Sequence, residues 1–293
     1  MNRSAIPVPV SVLIPVKNEA ANLPRCLASV AWAAEVFVVD SQSTDGTQLI
    51  SQRQGAQVIQ FEYNGGWPKK KEWSLRNLPF THEWVLLLDA DEVMPPESEA
   101  EIRAIVTGDS TNCAGYWINR RFFFLGQWLR HAYFPNWNLR LVKHKAARFE
   151  RLAEGDTQSG DNEVHEHLLV DGETKKLASL MDHYAFPTVA SFVEKHNRYS
   201  NWEASVALQT GGAQNAAELQ KGNVGWRRRL KGWARKLPCR PTLRFLYVYI
   251  WQRGFLDGRA GFYFARLHAF YEFLTVVKTY ELKKQRERGQ PPG

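Results

Sequence analysis

The chain is poor in cysteine, has no glycine-rich nucleotide fingerprint and contains no long apolar run. Its three cysteines, Cys26, Cys113 and Cys239, stand far apart and form no CxxC pair. That excludes a disulfide framework and fits unpaired thiols in a reducing compartment. No GxGxxG occurs, which weighs against a dinucleotide cofactor. No stretch of about 18 uninterrupted apolar residues occurs, so a simple transmembrane helix is not expected. The opening MNRSAIPVPVSVLIPVKNE carries Pro7, Pro9 and Pro15 within its apolar part and no small-residue cleavage site. It reads as the lead-in to a strand and not as a signal peptide. There is no internal repeat.

What is present is the composition of a folded protein, 44% hydrophobic and 23% charged. The net charge of +8 is unevenly placed. Residues 221–293 hold 17 Lys or Arg against 4 Asp or Glu, whereas residues 1–220 hold 21 against 26. A basic tail of this kind can meet nucleic acid, anionic lipid or a phosphorylated substrate.

The first hundred residues alternate between short apolar runs and helical patterns. SVLIPV (11–16), EVFVVD (35–40), AQVIQF (56–61) and WVLLLDAD (84–91) read as strands. Helices are expected over 22–33, with Asn22 as cap and Pro24 in the first turn, and over 44–54, 68–78 and 95–106. This order predicts a doubly wound sheet with a parallel core and helices on both faces. From 113 to about 185 the pattern changes to aromatic-rich strands and turns, which predicts an antiparallel extension. A helix follows over 191–208, and the polar, glycine-bearing QTGGAQNAAELQKGN (209–223) reads as a linker.

In such sheets ligands lie beyond the carboxyl ends of the strands. KNE follows the first strand, Asp40 closes the second and DADE closes the fourth. Asp89, Asp91 and Glu92 are like charges at close quarters, so a positive partner is expected there: a lysine, an arginine or a metal ion. The three are expected at the rim of a site and not in the core. Asp-X-Asp at a strand end offers two hard oxygens to Mg2+ or Mn2+, with water and a diphosphate completing the shell. The same acids also serve as helix caps in solvated loops. Asp40 suits a nucleoside base or ribose, or a cap for the SQSTDGT turn.

VLIPVKNE, VVDSQSTDGT and LLLDADE, in this order and spacing, resemble family 2 glycosyltransferases. NLRLVKH, VHEHLLVDG, DHYAF and KHNRYS extend the resemblance to the branch similar to bacterial lipopolysaccharide-core β-glucosyltransferases. It covers roughly residues 10–205, and RFLYVYIWQRGFLDGRAGF in the tail is also similar to that branch. The resemblance implies a GT-A fold, that of nucleotide-diphospho-sugar transferases: an α/β, doubly wound mixed sheet, here with a C-terminal helical, basic-aromatic extension. It implies a catalytic domain over 1–209 and the extension over 210–293.

By the same resemblance, Pro15, Asn18 and Glu19 shape the nucleotide pocket and Asp40 binds the base. Asp89 faces ribose and metal, and Asp91 is the main metal ligand. Lys71 falls near the nucleotide. The sequence there departs from the family's QRN-like stretch, so Lys69, Lys70 and Lys71 all stay open, as does a merely solvated basic helix end. An inverting transfer needs one carboxylate to take the acceptor's proton. Glu166 in VHEHL matches the family's base, with Glu163, Asp171 and Asp182 as rivals. His165 is a further candidate on the acceptor side. Arg140 can clamp a diphosphate or an acidic acceptor through its fork of donors. His183 can complete the metal site.

The expected donor is a nucleotide-diphospho-sugar, UDP-sugar first. The expected acceptor is a lipid-linked glycan or a lipopolysaccharide-type molecule. A metal-dependent nucleotidyltransferase is the alternative enzyme, but PVKNEAAN offers only Lys17 where a phosphate loop would be. WRRRLKGWARK also fits a nucleic-acid binder, but residues 1–220 are net acidic and carry the organised motifs, so no nucleic-acid partner is expected. Residues 245–280 contain 12 of the 37 aromatics, interrupted by Arg253, Asp257, Arg259, Arg266 and Glu272. That pattern suits a membrane interface and predicts a cytoplasmic protein held peripherally on the inner face of the membrane. A helical subdomain packing its own aromatics is the alternative.

Overall fold

The computed structural model describes residues 6–108, 112–150, 167–209 and 239–288. They fall into two compact units. One is drawn from Met1–Phe122 and Pro135–Ala185, the other from Phe123–Phe134 and Phe186–Gly293.

In the first unit, β1 (Val8–Val16), β2 (Ala33–Asp40), β3 (Gln57–Gln60) and β4 (Trp84–Leu87) form a parallel core in the order β3-β2-β1-β4. The connecting helices are α1 (Leu23–Ser29), α2 (Thr47–Arg53) and α3 (Lys70–Asn77), and α4 (Glu97–Thr107) follows. β1 lies between β2 and β4 and is covered on both faces, which is why its sequence is a continuous apolar run. Val10, Val12, Ile14 and Val16 pack with Leu23, Leu27 and Ile102 on one side. Leu13 packs with Phe37, Val39, Leu75 and Leu87 on the other. Each such buried side chain contributes about 1.5–3 kcal/mol.

Past β4 the sheet turns antiparallel, as the aromatic-rich segment predicts. β8 (Trp137–Lys143) pairs with β4, and β6 (Cys113–Phe124) pairs with β8. β11 (Glu173–Phe186) and the two-residue β5 (Glu92–Val93) complete the sheet. β9 (Ala147–Phe149) and β10 (Leu168–Val170) make a separate antiparallel pair. The mixed α/β sheet agrees with the expected fold class.

Local details differ from the sequence reading. The fourth strand stops at Leu87 and not at Asp91, because Asp89 and Glu92 close a turn: the Glu92 N–H donates to the Asp89 carbonyl at 2.9 Å, and the Asp89 N–H to Glu92 Oε2 at 2.9 Å. α1 ends at Ser29 and not at 33, since the Ala33 N–H turns back to the Val30 carbonyl and β2 begins. Asn22 does not cap α1 with its side chain; its Nδ2 donates to Glu19 Oε2 at 2.8 Å. α2 starts at Thr47 and not at 44, because Asp45 Oδ1 accepts the Thr47 N–H and holds the preceding residues in a turn.

The second unit contains α5 (Val189–Gln209), α6 (Arg240–Leu246) and α7 (Gly258–Glu287), with β7 (Gln127–Trp128) against Phe123 and Phe124. The expected linker, apart from Gln209, lies outside the described residues. Buried Asp257, just before α7, accepts the N–H groups of Arg130, His131 and Ala132 at 2.8–3.0 Å. Lys278 ties α7 to α5, donating to Asn197 O and Ser200 Oγ at 2.8 Å.

The core of this unit holds His268 among Phe192, Phe264, Tyr133 and His196. Burial pushes the His268 imidazole well below its usual range, and Arg244 and His196 add to the effect. Arg244 faces it, with Nη2 3.5 Å from His268 Nδ1. The neutral ring of the folded state meets an unfolded state that takes up a proton near pH 6.5. Stability is therefore fully present above about pH 6.5 and falls below it, by up to about 1.4 kcal/mol per pH unit. Urea midpoints between pH 8 and 5 should show this decline, and His268→Leu should lessen it, part of the remainder coming from neighbouring His196, whose imidazole pKa burial also lowers. An unchanged slope in that variant would refute the assignment.

Candidate active site

The carboxyl ends of β1, β2 and β4 lie side by side, and the loops after β1 and β2 are joined by side-chain hydrogen bonds. Asn18, two residues past β1, sits at φ 55, a left-handed conformation that asparagine tolerates. From there its Oδ1 accepts the Thr44 N–H at 2.8 Å and its own N–H donates to Ser43 Oγ at 2.7 Å. The Glu19 N–H donates to Thr47 Oγ1 at 2.9 Å. Pro15 is half-buried near the end of β1. Asp40 is buried at the end of β2; it accepts the Ser43 N–H and Gln60 Nε2. Its carboxylate thus closes the turn after β2, the capping role open to it from the sequence.

The basic run is not a solvated helix end. Lys69 and Lys70 are buried, and Lys70 Nζ donates to the Val16 carbonyl at 2.9 Å, fastening α3 beneath the end of β1. Lys71 reaches the acidic turn: its Nζ lies 2.7 Å from Asp89 Oδ1. The side-chain geometry separates three neighbouring lysines that charge pattern alone cannot.

Arg140, on β8, is buried. Its Nη2 reaches Asp89 Oδ2 at 2.6 Å and Glu92 Oε1 at 2.5 Å. Arg120, on β6, adds a second contact to Glu92 at 3.1 Å. The expectation that all three acids lie at the rim is corrected here: Glu92 has no exposed surface. Two arginines neutralise it, and they make its burial tolerable. Burial alone would raise the Asp89 pKa. Arg140 and then Lys71 outweigh it, holding this carboxyl well below its usual range. The Arg140 pKa is raised despite burial because Asp89 and Glu92 surround it. Nearby Cys26 stays a neutral thiol; burial and the three carboxylates push its pKa up.

Asp91 is positioned differently. β11 runs beside β5 with His183 opposite Glu92, and this brings His183 Nε2 to 3.4 Å from Asp91 Oδ1. The Tyr184 N–H donates to the Asp91 carbonyl at 2.9 Å, and the Arg25 guanidinium lies 3.8 Å from the centre of the Tyr184 ring. Among the described residues no group of three or more His, Cys, Asp or Glu gathers as a metal site.

Of the rivals for the base, Asp182 is bonded by Arg121, and exposed Asp171 pairs with Arg148 at 2.5 Å. Glu163, His165 and Glu166 lie outside the described residues. Sequence reasoning noted Glu92 but gave it no role, left Lys70 open beside its two neighbours, and missed Arg120 and Arg25. Only the place of Glu92, three residues past Asp89 at the end of an apolar run, offered a local signal.

The model of the family described as Glycosyl transferase family 2 matches residues 11–162. A lipopolysaccharide core biosynthesis glycosyltransferase of Rhizobium meliloti is 26% identical over 285 residues, covering 94% of this chain and 93% of the relative. An uncharacterized glycosyltransferase of Rickettsia typhi is 28% identical over 277 residues, covering 93% and 87%. Among solved structures, S. aureus TarS in complex with UDP-GlcNAc is similar with a TM-score of 0.48 and 16% identity, over 96% of this chain and 92% of that one.

Proposed function

From the premise that this chain belongs to glycosyl transferase family 2, we propose that it is an inverting, metal-assisted hexosyltransferase. It moves a sugar from a UDP-sugar to a hydroxyl of a lipid-linked or lipopolysaccharide-type acceptor. The observation that carries this reading is the cation-gripped acidic turn after β4, next to the joined loops of β1 and β2. Asn18, Glu19 and Asp40 frame the nucleotide, with Pro15 shaping the floor. Lys71 and Arg140 hold Asp89 ionised and present positive charge where a diphosphate leaves.

Asp91 and His183 are the pair that fits Mg2+ or Mn2+. A carboxylate oxygen and an imidazole nitrogen supply two donors, and a diphosphate-bound cation takes the rest from phosphate and water. Each Asp89 oxygen already has a cationic partner, so Asp89 has only its remaining lone pairs to offer the ion. When bound, the metal stabilises charge on the leaving diphosphate. Glu166 takes the acceptor proton as the hydroxyl attacks, with His165 beside it on the acceptor side.

Thermal shift of the full chain against UDP, GDP, dTDP and CMP, each with and without Mn2+, tests the reading. A ligand that binds only the native state raises its apparent stability. A Mn2+-dependent shift with UDP is expected, and Asp91→Ala should abolish it. Glu166→Gln should keep the shift while turnover falls about 10²–10⁴-fold. Near-normal turnover in Glu166→Gln would remove it as the base, and no shift with any nucleotide would sink the donor assignment.

The acceptor side of the proposal is a cytoplasmic membrane face. No helix among the described residues is long and apolar enough to cross a membrane. Support comes from the second unit, where Ile250, Trp251, Leu256 and Tyr280 are exposed beside basic residues, a combination suited to the interface.

A further inference from the structure

α7 has two apolar faces. Ala260, Gly261, Phe264, Ala265 and His268 are buried within the second unit. Phe262, Tyr263, Phe270, Phe273, Val277 and Tyr280 recur at helical spacing and are all exposed. An ordinary surface helix carries polar residues on its outer face, and an apolar stripe this continuous marks a contact site. Between α6 and α7 the stripe opens into a groove of about 710 Å³, lined by Pro241, Phe245, Leu267, Ala269, Phe270 and Phe273. That volume is within the range of about 300–1,000 Å³ of small-molecule clefts.

The charges identify the occupant. Arg266 lines the groove, with its guanidinium 5.7 Å from the centre of the Phe245 ring. Among the described residues Arg266 and Arg259, on the same side of the helix, make no ion pair, whereas the nearby Glu272 is held by Arg240 at 2.5 Å. A second copy of the chain docked here by two-fold symmetry would bring like arginines together. A lipid instead offers hydrocarbon to the groove and an anion to the arginine. We infer that the groove between α6 and α7 binds a hydrocarbon chain of a phosphate-bearing membrane lipid, with Arg266 on the phosphate. This rests on the lipid-linked acceptor reading for its purpose, but its chemistry stands on the groove alone.

Isothermal titration calorimetry of the full chain tests it with octyl phosphate below its micellar concentration, and with octanol and inorganic phosphate as half-ligands. Octyl phosphate should bind, and each half-ligand should bind at least about tenfold more weakly. Arg266→Gln, at an exposed side chain, should weaken octyl phosphate roughly tenfold or more, the effect of losing a charge-assisted hydrogen bond. Ala269→Trp should block the groove. Both variants should keep the UDP-dependent thermal shift. Octyl phosphate binding unchanged in both variants would overturn the inference. So would inorganic phosphate binding as tightly as octyl phosphate, or a dimer in sedimentation that Ala269→Trp dissociates. Loss of the UDP shift in the unmodified chain would count against the glycosyl-transfer reading and leave the groove result intact.

Discussion

Glu92→Ala should cost the first unit about 3–5 kcal/mol, the usual penalty for breaking a buried ion pair by removing one partner. Glu92 holds three groups at once: Arg140 at 2.5 Å, Arg120 at 3.1 Å and the Asp89 N–H at 2.9 Å. Without it, Arg120 loses the carboxylate it bonds and Arg140 keeps only Asp89. The turn carrying Asp89 and Asp91 loses the acceptor that shapes it. Against a total stability of about 5–15 kcal/mol, the variant would stand near the edge of unfolding. The nucleotide-dependent thermal shift should vanish with it. Glu92→Gln keeps the shape and the acceptor but removes the charge, and it should fall between the two. Urea unfolding of the three proteins measures this. A Glu92→Ala variant within about 1 kcal/mol of the parent, less than the mean effect of an ordinary substitution, would show that the two arginines do not depend on it.

Gly261→Ala should be the most damaging single methyl in the second unit. A Cβ at Gly261 would lie 2.0 Å from the Gly254 carbonyl oxygen, 2.9 Å from Asp257 Cβ and 3.0 Å from the Gly254 carbonyl carbon. Two of those neighbours are backbone atoms, so no rotamer change relieves the clash. α7 must lift off the turn that precedes it. That turn carries Asp257, whose carboxylate accepts the N–H groups of Arg130, His131 and Ala132. Overpacking of this kind costs about 1–3 kcal/mol, and the loss of these buried bonds adds about 1–3 kcal/mol more. Gly126→Ala is the matched control. It has φ 75 but nothing within 4 Å of an added Cβ, so only backbone strain of about 1–2 kcal/mol is expected. Limited proteolysis and urea midpoints should separate the two. A Gly261→Ala chain no weaker than Gly126→Ala would mean that the turn yields freely.

The two variants mark where local pattern ends. WVLLLDADE shows by itself that an apolar strand runs into three acids, and the order of motifs before it shows a parallel core. A continuous apolar run needs cover on both faces, and that requirement can be read from a window of a few residues. The same stretch cannot say which cations answer the acids. Lys71 comes from the helix before β4, and Arg120 and Arg140 arrive from β6 and β8, as many as 51 residues away in the chain. Nor could it say that Glu92 is sealed in while Asp91 turns toward His183, since that depends on the register of β11 against β5. In the tail, the spacing of Phe262, Phe270, Phe273 and Tyr280 predicts one face of a helix. Which face stays uncovered was set by the packing of α7 within its own unit. Periodicity is a short-range property of a chain, so the sequence alone determined the elements of the parallel core to within a few residues at their ends, the acidic strand end and the basic aromatic tail. Pairing and burial link residues far apart in the chain, so only the tertiary structure decided which charges meet and which apolar face stays open.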